Sequence, residues 1–269
     1  MIDMIFVCGC PRSGNTLMGE LLGTLDKVNY CGELGVSYFS TQVSKEAFRR
    51  TPTPYTEAYR ANLMGNALDF LDEIRSSSSE KSIICDSTPW NARILTQLQT
   101  LHPNALFIYM FRHYSGVIHS LRRSWSLGYE WAGPKDEDRA QLWNDLNNRI
   151  LECSYHSSIG VNYDELCTHP VETLNSLNKK LNNYGISGSF EKSVLSKSHA
   201  NSSVRPTLAT LNAQAELVIN PLPSEPFEPW TDSDAKPLAS VLNKTYTKLL
   251  GKFTTPNQES FWSNFPEDK

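Results

Sequence analysis

The chain is poor in what would send it to a membrane, a nucleic acid or an oxidising compartment. Its two longest apolar runs, Met4 to Cys8 and Ala105 to Phe111, fall far short of the roughly 18 residues that a bilayer span needs. No charged segment, long apolar core and small-residue cleavage site precede the first run, so neither a membrane partner nor a secretory leader is expected. Basic residues number 25 against 29 acidic ones, a net charge of −4; the positive excess that a nucleic-acid backbone demands is missing. Six cysteines, Cys8, Cys10, Cys31, Cys85, Cys153 and Cys167, include no CxxC pair and do not read as a disulfide framework in a chain this large. Reduced thiols and a cytoplasmic location are the expectation. The six histidines show no metal-ligand spacing and no HExxH occurs, so no metal is expected.

What is present is globular. Hydrophobic residues make up 39% of the 269 positions, with 11 Phe, 11 Tyr and 6 Trp, enough to bury a sizeable core in one domain spanning 1–269. Ile5 to Cys8 reads as a strand closed by Gly9 and Pro11, and Thr16 to Leu25 as a helix with Leu17, Met18, Leu21, Leu22 and Leu25 on one side. Residues 38–80 read as a helical insertion whose stripe is Tyr59, Leu63, Ala67, Phe70, Leu71 and Ile74. Ser82 to Cys85 and Ala105 to Phe111 read as buried strands around a helix from Asn91 to Leu101. Helices Ser115 to Ser124 and Asp136 to Ser157, a strand Gly160 to Tyr163 and a helix opened by Pro170 complete the alternation. The pattern predicts an α/β fold of three layers, with a central, mostly parallel sheet flanked by helices. Residues 187–232, rich in Ser, Asn and Pro, are expected to form a long loop region.

Gly9-Cys10-Pro11-Arg12-Ser13-Gly14-Asn15-Thr16 has the spacing of a phosphate loop, G-x-x-x-x-G-K-S/T, with Asn15 where the lysine belongs. A glycine-rich turn between a strand and a helix N-terminus aims backbone N–H groups at one spot, where the helix dipole adds positive potential. The loop therefore suits a phosphate or sulfate. Without the lysine it lacks the cation that reaches the outer phosphates of a triphosphate, while Arg12 offers a permanently charged fork to a smaller terminal group. A second anion site is expected at Arg112, directly after the strand Ala105 to Phe111, with Ser120 eight residues on along the next helix; ligands of parallel sheets collect beyond the carboxyl ends of strands.

These residues resemble the sulfotransferases that use 3′-phosphoadenosine 5′-phosphosulfate (PAPS). Pro11 to Leu17 is similar to the P-R-S-G-T-T-L loop of the bacterial and tyrosylprotein branches, with Asn15 for the first Thr. The resemblance implies a P-loop-like fold and a donor site made by Arg12, Ser13, Gly14, Asn15 and Thr16 at the phosphosulfate, and by Arg112 and Ser120 at the 3′-phosphate. It also implies a contact from Tyr163, which opens a segment similar to Y-E-x-L, and from a polar loop carrying Ser203 and Arg205. Cys31-Gly32-Glu33 resembles the C-G-E that supplies the catalytic glutamate, which implies Glu33 as general base beside Arg12. Its carboxylate, partly desolvated among aromatic side chains, would have a pKa raised toward neutrality. The sequence departs from the family at Asp86-Ser87-Thr88-Pro89, where many members carry a lysine at the position of Ser87. It departs again at Ser124, where an arginine is usual and Arg122 or Arg123 is the available substitute.

The expectation is a sulfotransferase that moves a sulfuryl group from PAPS to a hydroxyl or amine of a small-molecule acceptor, such as a natural product, and releases adenosine 3′,5′-bisphosphate (PAP). Tyr38, Phe39, Trp90, Trp125, Tyr129 and Trp131 lie just past the motifs, where a flat acceptor would approach, although core packing is the favoured account of any one of them. Two other readings stay open: a metal-dependent P-loop kinase, and a nucleotide-binding module with no catalysis.

Overall fold

The computed structural model describes residues 2–46, 56–78, 81–153, 157–191 and 236–253. Five strands, β1 (Met4–Gly9), β2 (Val28–Tyr30), β3 (Ile83–Asp86), β4 (Ala105–Phe111) and β5 (Ser158–Asn162), form one sheet in the order β2-β3-β1-β4-β5. Every pairing in it is parallel. Strands β1, β3 and β4 are buried throughout, which is why they read as unbroken apolar runs rather than as alternating ones.

Helices cover both faces. On one side α1 (Asn15–Gly23) and α8 (Pro170–Asn182) bury Leu17, Met18, Leu21, Leu22, Leu174, Leu177 and Leu181 against Ile5, Val7, Leu106, Ile108 and Val161. On the other, α4 (Leu95–Leu101), α5 (Tyr114–Ser126), α6 (Asp136–Glu152) and α9 (Lys236–Phe253) close over Phe6, Phe107, Tyr109 and Phe111. Each fully buried side chain of this size contributes about 1.5–3 kcal/mol. Between β2 and β3 lie α2 (Val36–Glu46) and α3 (Thr56–Ser77). On α3 only Ala67 and Leu71 of the expected stripe are fully buried, whereas Tyr59 and Phe70 face outward.

Three of the boundaries that differ from the sequence reading have a local polar reason. The helix expected from Asn91 starts as a 3-10 turn, Pro89–Arg93, because the Asn91 side chain donates to Asp86 at 3.0 Å and tethers the turn to β3. The last strand ends at Asn162, not Tyr163, since the Asn162 carboxamide oxygen accepts the Asp164 N–H at 2.9 Å and caps a short helix, α7 (Tyr163–Thr168). The helix expected to reach Ser157 stops at Glu152, where the Lys252 ammonium of α9 bonds the carbonyls of Ile150, Leu151 and Cys153. Strand β2 and helix α9 have no counterpart in the sequence reading.

Strand order positions the site. The chain leaves β1 toward β2 through α1 on one face, yet leaves β4 toward β5 through α5 and α6 on the opposite face. The loops that follow β1 and β4 therefore diverge and leave a crevice at the carboxyl edge of the sheet. The register pairs Gly9 with Met110, so the turn beginning at Cys10 and the Arg112 backbone emerge side by side.

Candidate active site

The loop after β1 turns tightly, with the Ser13 N–H bonded back to the Cys10 carbonyl at 3.1 Å. Gly14 caps α1 in the left-handed region at φ 91°, and a Cβ there would meet the Tyr163 ring at 2.3 Å, so neither the backbone angle nor the space admits a side chain. Arg12, at φ 74°, is the only non-glycine with a positive φ among the described residues. Such a conformation costs energy and persists only where its surroundings hold it. Here the holds are specific: the Arg12 Nε donates to the Ser120 hydroxyl at 2.8 Å, and the Arg112 Nη1 donates to the Arg12 carbonyl at 3.2 Å. The strand-end arginine and the α5 serine thus join the loop in one cluster.

The loop residues divide by role. The Asn15 side chain is turned inward, its amide donating to the Gly9 and Cys10 carbonyls at 3.4 and 3.1 Å, so it braces the turn that a lysine would have left free. What Asn15 offers outward is its backbone N–H at the first position of α1. Ser13 is fully buried with no hydrogen-bond partner for its hydroxyl, an unmet polar group of the kind that a ligand satisfies. Thr16 is exposed at the second position of the helix.

Around Arg112 the packing is close. A Cβ on Gly116 would stand 2.8 Å from the Arg112 Nε, so the missing side chain lets the guanidinium lie back over the start of α5. Its other face covers the Tyr163 ring, 4.6 Å from the centroid, a cation–π contact. Asp164, buried, faces it from 3.9 Å. Burial pushes the Asp164 carboxyl up, against the pull of the His113 N–H and of Arg112. His113 caps α5 by accepting the Ser115 N–H at its Nδ1; burial, then Arg112, push its pKa down to about 4, and the ring is neutral. Of the two arginines considered as substitutes at Ser124, Arg122 is committed to Asp136, which also binds Arg139. Burial opposes charge on Asp136, but hydrogen bonds from both arginines outweigh it and hold its carboxyl below the usual range. Arg123 is exposed, acts electrostatically on Arg12 and forms no ion pair among the described residues.

Arg12, Arg112 and Arg123 thus act on one another electrostatically, with Asp164 against Arg112, and burial and then Arg112 lower the pKa of Arg12. A site that gathers cations at a helix N-terminus beside an unpaired buried hydroxyl fits a ligand with more than one anionic group.

Glu33 stands at the other side of the crevice on the loop between β2 and α2. That loop is pinned to the end of β3 at two points: the Ser87 N–H bonds the Gly32 carbonyl at 2.9 Å, and the Gly35 N–H bonds the Thr88 hydroxyl at 2.8 Å. Asp86 organises this junction by accepting from Thr88 and Asn91. Glu33 is exposed, but loss of surrounding water and repulsion from Asp86 raise its pKa, while Arg12 pulls it down. Glu33 and Arg12 are thus near enough to act on one another electrostatically. Ser87 is fully buried, with its hydroxyl bonded to the Tyr30 hydroxyl at 2.9 Å and to the Gly32 carbonyl at 3.3 Å. Ser87 thus fixes the Glu33 loop.

The aromatic residues past the motifs are mostly not core. Phe39, Trp125, Tyr129 and Trp131 are exposed. Trp131 sits edge-on to Trp90 at 6.2 Å and against Tyr129 at 6.0 Å, with Arg93 over Trp90. Tyr129 in turn acts electrostatically on Arg12, so this rim adjoins the cationic cluster. Ser203 and Arg205, expected to fold over a nucleotide, lie outside the described residues. The sequence reading missed Asp164, Gly116 and Trp143, whose indole N–H bonds the Arg112 carbonyl at 3.1 Å; only Asp164, inside the Tyr163-Asp164-Glu165-Leu166 segment, left a signal.

Comparison with known proteins points one way. Residues 4–183 match the model of the sulfotransferase family. A putative protein-tyrosine sulfotransferase of Caenorhabditis briggsae is 28% identical over 64% of this chain and 62% of its own length. Protein-tyrosine sulfotransferase 1 of Danio rerio is 28% identical over 67% of this chain and 53% of its own. The chain thus spans between half and two thirds of the length of these relatives. Among solved structures, the sulfotransferase domain of the curacin biosynthetic pathway superposes with a TM-score of 0.55 at 18% identity, over 90% of this chain and 98% of that one. The sulfotransferase domain of the Synechococcus PCC 7002 olefin synthase gives 0.59 at 17%, over 89% and 94%. These two likenesses concern the fold.

Proposed function

This chain belongs to the sulfotransferase family, and on that premise we propose that it transfers a sulfuryl group from PAPS to a hydroxyl or amine, within one domain spanning 1–269. The observation that carries the proposal is the crevice itself: a cationic end formed by Arg12, Ser13, Arg112 and Ser120 at the start of α1, and a carboxylate, Glu33, on which Arg12 acts electrostatically. Arg112, with Arg123 nearby, holds the 3′-phosphate; the loop N–H groups and Arg12 hold the 5′-phosphosulfate. The acceptor heteroatom bonds to sulfur as the bond from sulfur to the bridging phosphate oxygen breaks. The acceptor proton passes to Glu33, and PAP leaves with the electron pair of the broken bond, its charge met by Arg12 and the loop. With Ser87 buried, that electrostatic stabilisation rests on Arg12 and the backbone.

The acceptor we propose is a small molecule with a flat or apolar portion resting on Phe39, Trp90 and Trp131. A second reading, a tyrosyl side chain of a peptide, is favoured by the names of the relatives and by the exposure of this rim. Incubating the protein with PAPS labelled in sulfur and with separate panels of phenols, alcohols, amines and tyrosine peptides tests both. Labelled product without added Mg²⁺ supports the proposal. Transfer of phosphate from ATP with Mg²⁺ in its place would establish the kinase reading, and tight PAP binding with no transfer to any panel the non-catalytic one.

A further inference from the structure

Helix α9 lies beyond residue 183, where the family match ends, yet it reaches the back of the donor site through one side chain. Tyr246 is buried, and its hydroxyl receives the Asn162 amide at 3.3 Å and donates to Asp164 Oδ2 at 3.5 Å. That same Oδ2 accepts the His113 N–H at 2.8 Å, while Asp164 Oδ1, with no hydrogen bond of its own, faces the Arg112 Nε at 3.9 Å. The Tyr246 ring stands edge-on to His113 at 4.9 Å and lies 6.5 Å from Trp143, whose indole holds the Arg112 carbonyl. Arg112 is therefore framed by Asp164, His113 and Trp143, and Tyr246 touches all three. The helix is itself anchored to its surroundings: Asn243 accepts from the Tyr114 hydroxyl at 2.9 Å, and Thr245 donates to Asn144 at 2.8 Å.

We infer that Tyr246 is a positioning residue for the 3′-phosphate subsite, acting through Asp164 on the direction of the Arg112 guanidinium. The inference rests on the donor reading above. A carboxylate with one donor fewer is less firmly held, and the guanidinium that it orients loses its fixed direction toward the ligand; a buried charge is sensitive to each bond it accepts. Tyr246→Phe keeps the ring and its packing and removes only the hydroxyl.

The test is calorimetric titration with PAP and with adenosine 5′-monophosphate, which lacks the 3′-phosphate, alongside the melting temperature of each variant. Wild type should prefer PAP strongly. Tyr246→Phe should lower the PAP to monophosphate affinity ratio by about two- to ten-fold, the size of one hydrogen bond, by weakening PAP alone. In an Arg112→Ala background the same change should leave the ratio where Arg112→Ala put it. Asp164→Asn, probing the same path if Tyr246→Phe proves unstable, should also lower the ratio. An unchanged ratio in both single variants, or an equal loss for both nucleotides, overturns the inference while the donor reading stands. A wild type with no preference for PAP overturns the donor reading and this inference with it.

Discussion

Around Arg112 the polar atoms are tied across five elements, from the loop after β1 to α9, whereas Phe39, Trp125, Tyr129 and Trp131 are exposed on α2, the end of α5 and the turn that follows it. The two ends of the crevice thus meet different demands. A ligand with fixed, doubly anionic chemistry rewards preorganised cations, because the cost of gathering them is met in folding rather than in binding. An apolar, exposed rim has few bonds to satisfy and tolerates change without loss of the fold. Variation in the rim should alter what is modified, and variation around Arg112 should alter whether the donor binds at all.

The largest effect should come from the residue between the two ends. Glu33→Gln keeps the shape but cannot take a proton, and turnover should fall by about 10²–10⁴ with PAP affinity unchanged. Because the Glu33 pKa is raised, wild-type activity should decline as pH falls through a value above that of an ordinary glutamate, and the decline should be missing in Glu33→Gln. Full turnover by this variant in a single-turnover measurement with saturating acceptor would move the base elsewhere.

At the donor end, Arg112→Ala should weaken PAP by about ten- to a hundred-fold, the ~1.5–3 kcal/mol of a hydrogen bond to a charged group, and weaken adenosine 5′-monophosphate far less, through the lost bond to the Arg12 carbonyl. Equal losses in titrations of the two would make Arg112 a scaffold residue only. At the acceptor end the pattern should invert: Trp131→Ala should raise the acceptor KM by about ten-fold, within the range of lost aromatic contacts, with PAP titrating as in wild type. If donor affinity fell instead, the division between the two ends would be broken.

The smallest contrast separates neighbours. Arg123→Ala should weaken PAP a few-fold, about the size of a partly screened charge contact, and less so at high salt. Arg122→Ala should instead lower the melting temperature, because it strands part of the buried Asp136 charge. Melting curves and titrations on both variants would show whether the two roles have been assigned the wrong way round.

Much of the donor end is legible in the sequence because its signals are short. Strand, glycine turn and helix in Ile5 to Leu22 are set by neighbouring residues, and Arg112 follows a buried run of seven. Glu33 is legible only through resemblance to a known motif, since nothing local distinguishes its carboxylate from a solvated one. Ser87, Arg122 and Arg123 cannot be sorted by sequence at all: whether a hydroxyl or guanidinium is free depends on Tyr30, Asp136 and Gly32, each brought up from another element.

Local hydrophobic runs and turn-forming glycines are thus enough to give a parallel α/β sheet, a glycine loop at a helix N-terminus and an arginine at a strand end, because these follow from the conformational limits of adjacent residues. The tertiary structure alone decided that Asn15 turns inward, that Ser87 braces the Glu33 loop, and that α9 buries Tyr246 behind Asp164. Those outcomes depend on which polar groups meet once the sheet has closed and water has left, and that contest is settled between residues as far as 82 positions apart.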